Sequence, residues 1–296
     1  MKRTTIERIL CPVDFSEFSI GAYAFATSLA RHCGARLFVQ HVTELWQFPS
    51  ASFSVTADDY ERFCARLRRD GIQKLRSFVQ SHAINGVESE CVNSEGMAAD
   101  SILCFAKENA IDLILMGTHG YRGFERLILG SITEKVLRMA RCPVLAVPAL
   151  PSGFVVSATS GGGINLHRIV IGTDFSDSSN EALDYAISLA EEYDAGLTVI
   201  HVLEEVATPG CAEDPANAYK RLDELLREKA KPTLRIATEV RIGRAYREIC
   251  QFARDDHAEL VVMAVHGRNS LDDAIFGSTT YRVIQSGVCP VLAIHH

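Results

Sequence analysis

Residues 8–42, "RILCPVDFSEFSIGAYAFATSLARHCGARLFVQHV", return as residues 168–202, "RIVIGTDFSDSSNEALDYAISLAEEYDAGLTVIHV", at a constant offset of 160 positions. Farther along, Gly96–Ile102 faces Gly243–Ile249, "GTHG" (117–120) faces "AVHG" (264–267), and Gly130-Ser131 faces Gly277-Ser278. There "RCPVLAV" (141–147) faces "VCPVLAI" (288–294), all at an offset of 147. One unit is written twice. The fall in offset leaves the second copy 13 residues shorter, between the strand ending in His-Val and Gly243. The extra stretch of the first copy, "LWQFPSASFSVT" (45–56), is either a tolerated surface insertion or a cover over a neighbouring site.

Within each copy, apolar runs of strand length alternate with runs of helical spacing. "RILCPV", "RLFVQHV", "VESECV" (87–92), "DLILMG" and "PVLAV" alternate with segments such as "EFSIGAYAFATSLARHC" (17–33) and "ITEKVLRMA" (132–140). Strands apolar on both faces that alternate with helices imply a parallel sheet covered on both sides. The expected fold is α/β: two tandem five-stranded parallel-sheet sandwiches, Rossmann-like, occupying residues 1–149 and 167–296. Residues 150–166 lie in a stretch rich in Gly, Ser, Ala and Pro that reads as a flexible linker. Its "TSGGGIN" (159–165) precedes a strand without a following Asp-Ser, so it is not the glycine loop of an ATP pyrophosphatase.

The 296 residues suit two domains with a core each. No uninterrupted apolar run reaches the roughly 20 residues of a bilayer span, and Glu7, Arg8 and Asp14 break the apolar start of the chain as a secretory signal does not allow. A cytoplasmic protein without membrane insertion is expected. Nine cysteines without C-x-x-C spacing read as reduced, mostly buried thiols. A net charge of -7 argues against nonspecific nucleic-acid binding.

In such sheets ligands sit beyond the carboxyl ends of the strands. After the first strand stand Asp14 and Asp174, each followed by a serine able to cap a helix. Each carboxylate either forms that turn or accepts hydrogen bonds from a ribose or an adenine amine. His41-Val42 and His201-Val202 end the second strand. Without a nearby ligand partner the histidines read as satisfied strand-end residues rather than metal ligands, and the valines are able to wall an apolar slot. After the fourth strand comes "GTHGYRGFERLILGS" (117–131). Gly117 suits close backbone approach to a ligand, Gly120 a positive φ, and Gly130 an uncovered helix start. That helix start, with the hydroxyls of Ser131 and Thr133, makes a phosphate cradle that needs no lysine. No G-x-x-x-x-G-K-[ST] occurs, which excludes a Walker-type NTPase.

These residues resemble those of the universal stress protein family, in its tandem-domain form. The features that carry the likeness are "VDFS" and "TDFS", the "HV" strand ends, the G-2x-G-9x-G-[ST] signature and "CPVL" opening the last strand, over both halves. The resemblance implies an adenine nucleotide alpha hydrolase-like sandwich that binds ATP, with or without Mg2+. It also implies pairing of the two domains through their last strands about a pseudo-twofold, and leaves room for a further homodimer. It places Pro12, Val13 and Asp14 by adenine and ribose, and Val42 and Met116 beside the base. Gly117 and Gly120 admit ribose and phosphates, and Gly130, Ser131 and Thr133 hold phosphate oxygens, with Arg122 in the same loop. The second-half equivalents are Thr173, Asp174, Val202, Met263, Gly267, Gly277, Ser278 and Thr280, and Ala264 stands where the signature has glycine.

The loops differ in charge. The first carries Arg122 and Arg126 at net +1, the second Arg268, Asp272 and Asp273 at net -1. A carboxylate about 6–8 Å from a phosphate opposes binding by roughly 1–2.5 kcal/mol at effective dielectric constants of about 20–40, unless it points to solvent and is screened. The expectation is a nucleotide held mainly by the N-terminal half, with the C-terminal site weak or empty. His119 and His266 are the only acid-base candidates near the cradle. A regulatory ATP-binding protein of a stress response is therefore the leading reading, with a slow ATPase and a nucleotide-free domain-pair scaffold as alternatives.

Overall fold

Each copy folds as strand and helix in turn, as its apolar periods require. The structure, a computed structural model, describes residues 5–45, 57–83, 86–119, 129–149, 166–204, 214–231, 233–266 and 277–295. The first half runs β1 (Arg8–Pro12), α1 (Glu17–Cys33), β2 (Arg36–Thr43), α2 (Ala57–Ser81), β3 (Ser89–Glu95), α3 (Ala98–Glu108), β4 (Leu113–Gly117), α4 (Ser131–Met139) and β5 (Val144–Val147). The second runs β6 (Arg168–Thr173), α5 (Asp177–Tyr193), β7 (Gly196–Leu203), α6 (Pro215–Lys229), β8 (Ile236–Ile242), α7 (Ala245–Asp255), β9 (Leu260–Ala264), α8 (Ser278–Ser286) and β10 (Val291–Ile294). Among the described residues no helix is long and apolar enough to cross a membrane.

The strands form one ten-stranded sheet in the order β3-β2-β1-β4-β5-β10-β9-β6-β7-β8. Within each half neighbours are parallel, and the halves join where β10 runs antiparallel to β5, with Leu292 opposite Leu145. Each half contributes to both cores. One cluster lies under α1, α2, α5 and α6 and includes Leu145, Val147, Leu292 and Ile294; the other lies under α3, α4, α7 and α8 and includes Val144, Ala146, Val291 and Ala293. The outermost strands depart from the expected apolar pattern. β3 reads "SECVNSE" and begins two residues later than its apolar run, because seven backbone pairs with β2, from Leu37–Ser89 to Thr43–Glu95, set its position. A polar edge is also the usual protection against further strand pairing.

Side chains reinforce the seam. His295, just past β10, bonds through Nε2 to the Leu137 carbonyl of α4 at 2.7 Å, so one half serves the last turn of a helix in the other. Its equivalent, Pro148, packs toward Gly287 at the end of α8. The bond requires the proton on Nε2, and among the described residues the buried Nδ1 has no hydrogen-bond partner. Burial, and secondarily the charge of His266, hold the His295 ring below the ordinary histidine range.

Packing also explains the difference between Gly117 and Ala264. A Cβ on Gly117 would lie 2.8 Å from the Phe18 Cβ and 3.1 Å from the Phe18 carbonyl carbon, so the first turn of α1 rests directly on the end of β4. In the second half Ser178 replaces Phe18 and the Ala264 methyl is buried among core residues under α5, so the helix start there has to leave room for it. The space a Gly117 side chain would need is thus filled by the first turn of α1. The Ala264 methyl is itself part of that core.

Two outcomes follow from this packing. Gly117→Ala should lower stability in urea unfolding by about 1–3 kcal/mol, as overpacking does, whereas a neutral or stabilising change contradicts the contact with Phe18. Because His295 is held neutral in the fold and protonates more readily unfolded, stability should be full above the ordinary histidine value and fall as pH drops through it toward the folded value. His295→Gln should flatten that decline, and an unchanged slope of urea midpoint against pH between about 6.5 and 5 contradicts it.

Candidate functional site

The carboxyl edge of the first half begins at the turn Asp14-Phe15-Ser16. Asp14 Oδ1 accepts the Ser16 N–H at 3.1 Å and the Ser16 and Ser19 hydroxyls at 2.6 Å each, while the Asp14 N–H donates to Ser19 Oγ at 3.0 Å. Ser16 Oγ in turn accepts the Ser19 N–H and caps α1. The second half repeats the core of this device: Asp174 Oδ1 accepts from Ser176 N–H and hydroxyl at 3.0 and 2.6 Å. There Thr173 Oγ1 adds bonds to the Ser179 hydroxyl and the Phe175 N–H, both at 3.1 Å. One oxygen of each aspartate thus forms the turn, which is the first of the two roles expected for it.

The residue between them was not legible as special. Phe15 and Phe175 adopt left-handed backbone, with φ of 66° and 60°, a conformation that costs a bulky residue of order 1–3 kcal/mol. Each ring packs on the histidine of the next strand, Phe15 on His41 at 4.4 Å and Phe175 on His201 at 4.5 Å. Phe15 also meets Phe78, whereas the Arg221 guanidinium stacks 3.9 Å over Phe175. The histidines close the arrangement. His41 Nδ1 lies 3.0 Å from the Val13 carbonyl and His201 Nδ1 2.8 Å from that of Thr173, so each ring donates to the neighbouring strand end. Burial lowers the His41 pKa, which keeps the ring neutral at physiological pH. Both are satisfied strand-end histidines. The only sequence signal for the strained turn was the recurrence of Phe itself in "DFS".

The second wall of the edge is the start of α4. Gly130 N–H bonds to the Thr118 carbonyl at 2.9 Å, and Thr133 Oγ1 donates to the Gly117 carbonyl at 2.9 Å. In the second half Gly277 N–H bonds to Val265 at 2.8 Å and Thr280 Oγ1 to Ala264 at 2.7 Å. These paired bonds tie each helix start to the strand before it. Glycine is needed at this place, since a Cβ on Gly277 would lie 2.7 Å from the Val265 oxygen. Among the described residues no side chain caps either helix, and Ser131 and Ser278 stand exposed at its first position. The hydroxyl protons of Thr133 and Thr280 are committed to carbonyls, so these residues build the frame and do not donate to an anion in this arrangement.

Pro12, Val13 and Thr173 are buried at the strand ends, and Met116 and Met263 are buried beneath the edge, the Met263 sulfur lying over Gly172. The halves differ at the valines: Val42 is half-buried, but Val202 is only 9% exposed. Tyr246 of α7, where the first half has Ala99, packs into the same core cluster as Val202. Gly120, Arg122, Arg126, Gly267, Arg268, Asp272, Asp273 and, of the extra stretch 45–56, all but Leu45 lie outside the described residues.

The flanking helices change the electrostatic comparison made from the loops. In the first half Lys135 pairs with Asp100 at 2.6 Å. Their equivalents are Arg282 and Arg247, which gather with Arg244 around Tyr246; Arg247 Nε bonds the Tyr246 hydroxyl at 2.9 Å and Arg282 lies 4.9 Å over the ring. The hydrogen bond from Arg247 and the three positive charges lower the Tyr246 pKa. The second edge is therefore flanked by positive charge, opposite to what its loop implied. Among the described residues no group of three His, Cys, Asp or Glu is placed to hold a metal.

Known proteins resemble this chain in sequence and in fold. A universal stress protein of Methanocaldococcus jannaschii is 32% identical over 141 residues, covering 48% of this chain and 81% of its own. One of Mycolicibacterium smegmatis is 24% identical over 295 residues, covering 97% of this chain and 96% of its own. The crystal structure of a universal stress protein from Archaeoglobus fulgidus superposes with a TM-score of 0.69 at 20% identity, over 98% of this chain and 96% of that one. The sequence profile of the universal stress protein family matches residues 5–148 and again 165–295, and the chain belongs to that family.

Proposed function

We propose that this chain is an ATP-binding regulatory protein of a stress response in the cytoplasm, with the nucleotide held mainly by the N-terminal half. One observation carries the reading: a helix start without a side-chain cap among the described residues, fixed at Gly130 to the end of β4, stands at the same sheet edge as Asp14 and the half-buried Val42. The N–H groups and dipole of α4 suit a phosphate chain. Val42 offers an apolar wall for a flat base, and the carboxyl group of Asp14 suits a ribose or an adenine amine. The residues present thus fit an adenine nucleotide. ATP when bound supplies charge and contacts at this edge, so that its occupancy biases which surface a partner meets.

The preference for the first half rests on the valines. Val42 has surface to give to a base, whereas Val202 is already covered. The arginines beside the second edge favour anions there, so charge by itself argues the other way, and access is the deciding factor.

Aspartate at the first helical position supports a helix while repelling phosphate, so Ser131→Asp and Ser278→Asp separate binding from folding. Saturating ATP with Mg2+ should raise the melting temperature of the natural chain by several degrees, the effect of about 2.7 kcal/mol at 100 times the Kd. Ser131→Asp should weaken ATP about tenfold or more without lowering the melting temperature of the nucleotide-free protein; Ser278→Asp should leave most of the response. Equal losses contradict the preference for the first half, and no response in the natural chain contradicts nucleotide binding.

A further inference from the structure

A cavity of about 240 Å3 lies over the seam between β5 and β10, between α1 and α5. Its lining is duplicated: Leu145 and Leu292, Phe25 and Tyr185, and Leu29 and Leu189 are equivalent positions of the two copies. The cavity therefore straddles the pseudo-twofold axis and exists only because the halves are paired. It is partly open to solvent and lined mostly by apolar side chains, so a ligand has a way in. This one is larger than the engineered cavity of about 150 Å3 that takes benzene, and a little below the usual range of about 300–1,000 Å3 for drug-sized ligands.

Charge narrows what fits. The carboxylates on the lining are Asp112, whose Oδ2 accepts the Glu7 and Arg8 N–H groups at 2.9 Å, and Glu192, which lies 3.4 Å from His32 Nε2. The Cys33 thiol and the Tyr185 hydroxyl are both pushed up by burial and by nearby acidic groups, and so stay uncharged. The fixed charges lining the cavity are thus negative, and an anion is repelled.

We propose that this cavity is a binding site for an uncharged, mostly apolar molecule the size of one or two fused rings. Its lining comes from the amino-terminal ends of β4 and β9, the seam strands and the later turns of α1 and α5, whereas the candidate nucleotide edge is built at the carboxyl ends of β1, β2 and β4. The two proposals stand or fall separately. A ligand seated here touches both halves at once and binds only their paired form.

Calorimetric titration of the full chain with 1-naphthol, and with 1-naphthalenesulfonate as the same ring carrying a negative charge, tests the assignment. The expected result is saturable binding of one 1-naphthol per chain, and binding of the sulfonate at least about tenfold weaker. Leu189→Trp, which fills the cavity, should weaken 1-naphthol at least about tenfold, with Leu189→Phe as the milder filling and Met139→Trp, on α4 across the sheet, leaving binding unchanged. Equal affinity in the natural chain and in a folded filling variant overturns the site, as does the absence of saturable 1-naphthol binding. Equal affinity for naphthol and sulfonate overturns the charge selection.

Discussion

The antiparallel pairing of β5 with β10 is the constraint on which the rest of the molecule depends. Both strands are short, four residues each, and fully apolar. Left alone, each would present unpaired backbone groups and buried-type side chains at a sheet edge. Pairing removes both edges at once and lets the two halves share a core on each face of the sheet. It also runs the strands of one half against those of the other, so the two carboxyl edges point in opposite directions and each candidate site is completed within its own half.

Duplication followed by local divergence gives each half the same frame with different contents. The frame is the aspartate turn, the left-handed phenylalanine resting on a strand-end histidine, and the glycine that ties a helix start to the preceding strand. The contents are what differ: Phe18 and Gly117 against Ser178 and Ala264, Val42 against a covered Val202, a Lys135–Asp100 pair against a group of arginines. The frame supports a fold that accepts a nucleotide, and the contents decide how open and how charged each edge is.

The fold was legible because its strongest signals are periodic and doubled. Apolar spacing placed the helices and inner strands, and the offset between copies placed the halves. The outer strands were less clear, since an edge strand such as β3 is located by backbone pairing to β2 and not by apolar content. At the site, sequence identified the positions but not their physical use. The bare Cβ position of Gly117 accommodates Phe18 of α1, and the Thr133 hydroxyl donates to the Gly117 carbonyl. Those assignments depend on partners about 100 and 16 residues away, which no local spacing reveals. The loop charges are also only part of the balance at the second edge, because Arg247 and Arg282 stand there on α7 and α8 and Arg244 at the cap of α7.

The central claim is that strand pairing, and not the connecting segment, holds the two halves together. Introducing a protease site within residues 150–165 and cutting the folded protein there tests it most directly. The account predicts that the two fragments continue to elute together at the size of the intact chain and unfold in one cooperative transition. Fragments that separate on cutting without denaturant would contradict it.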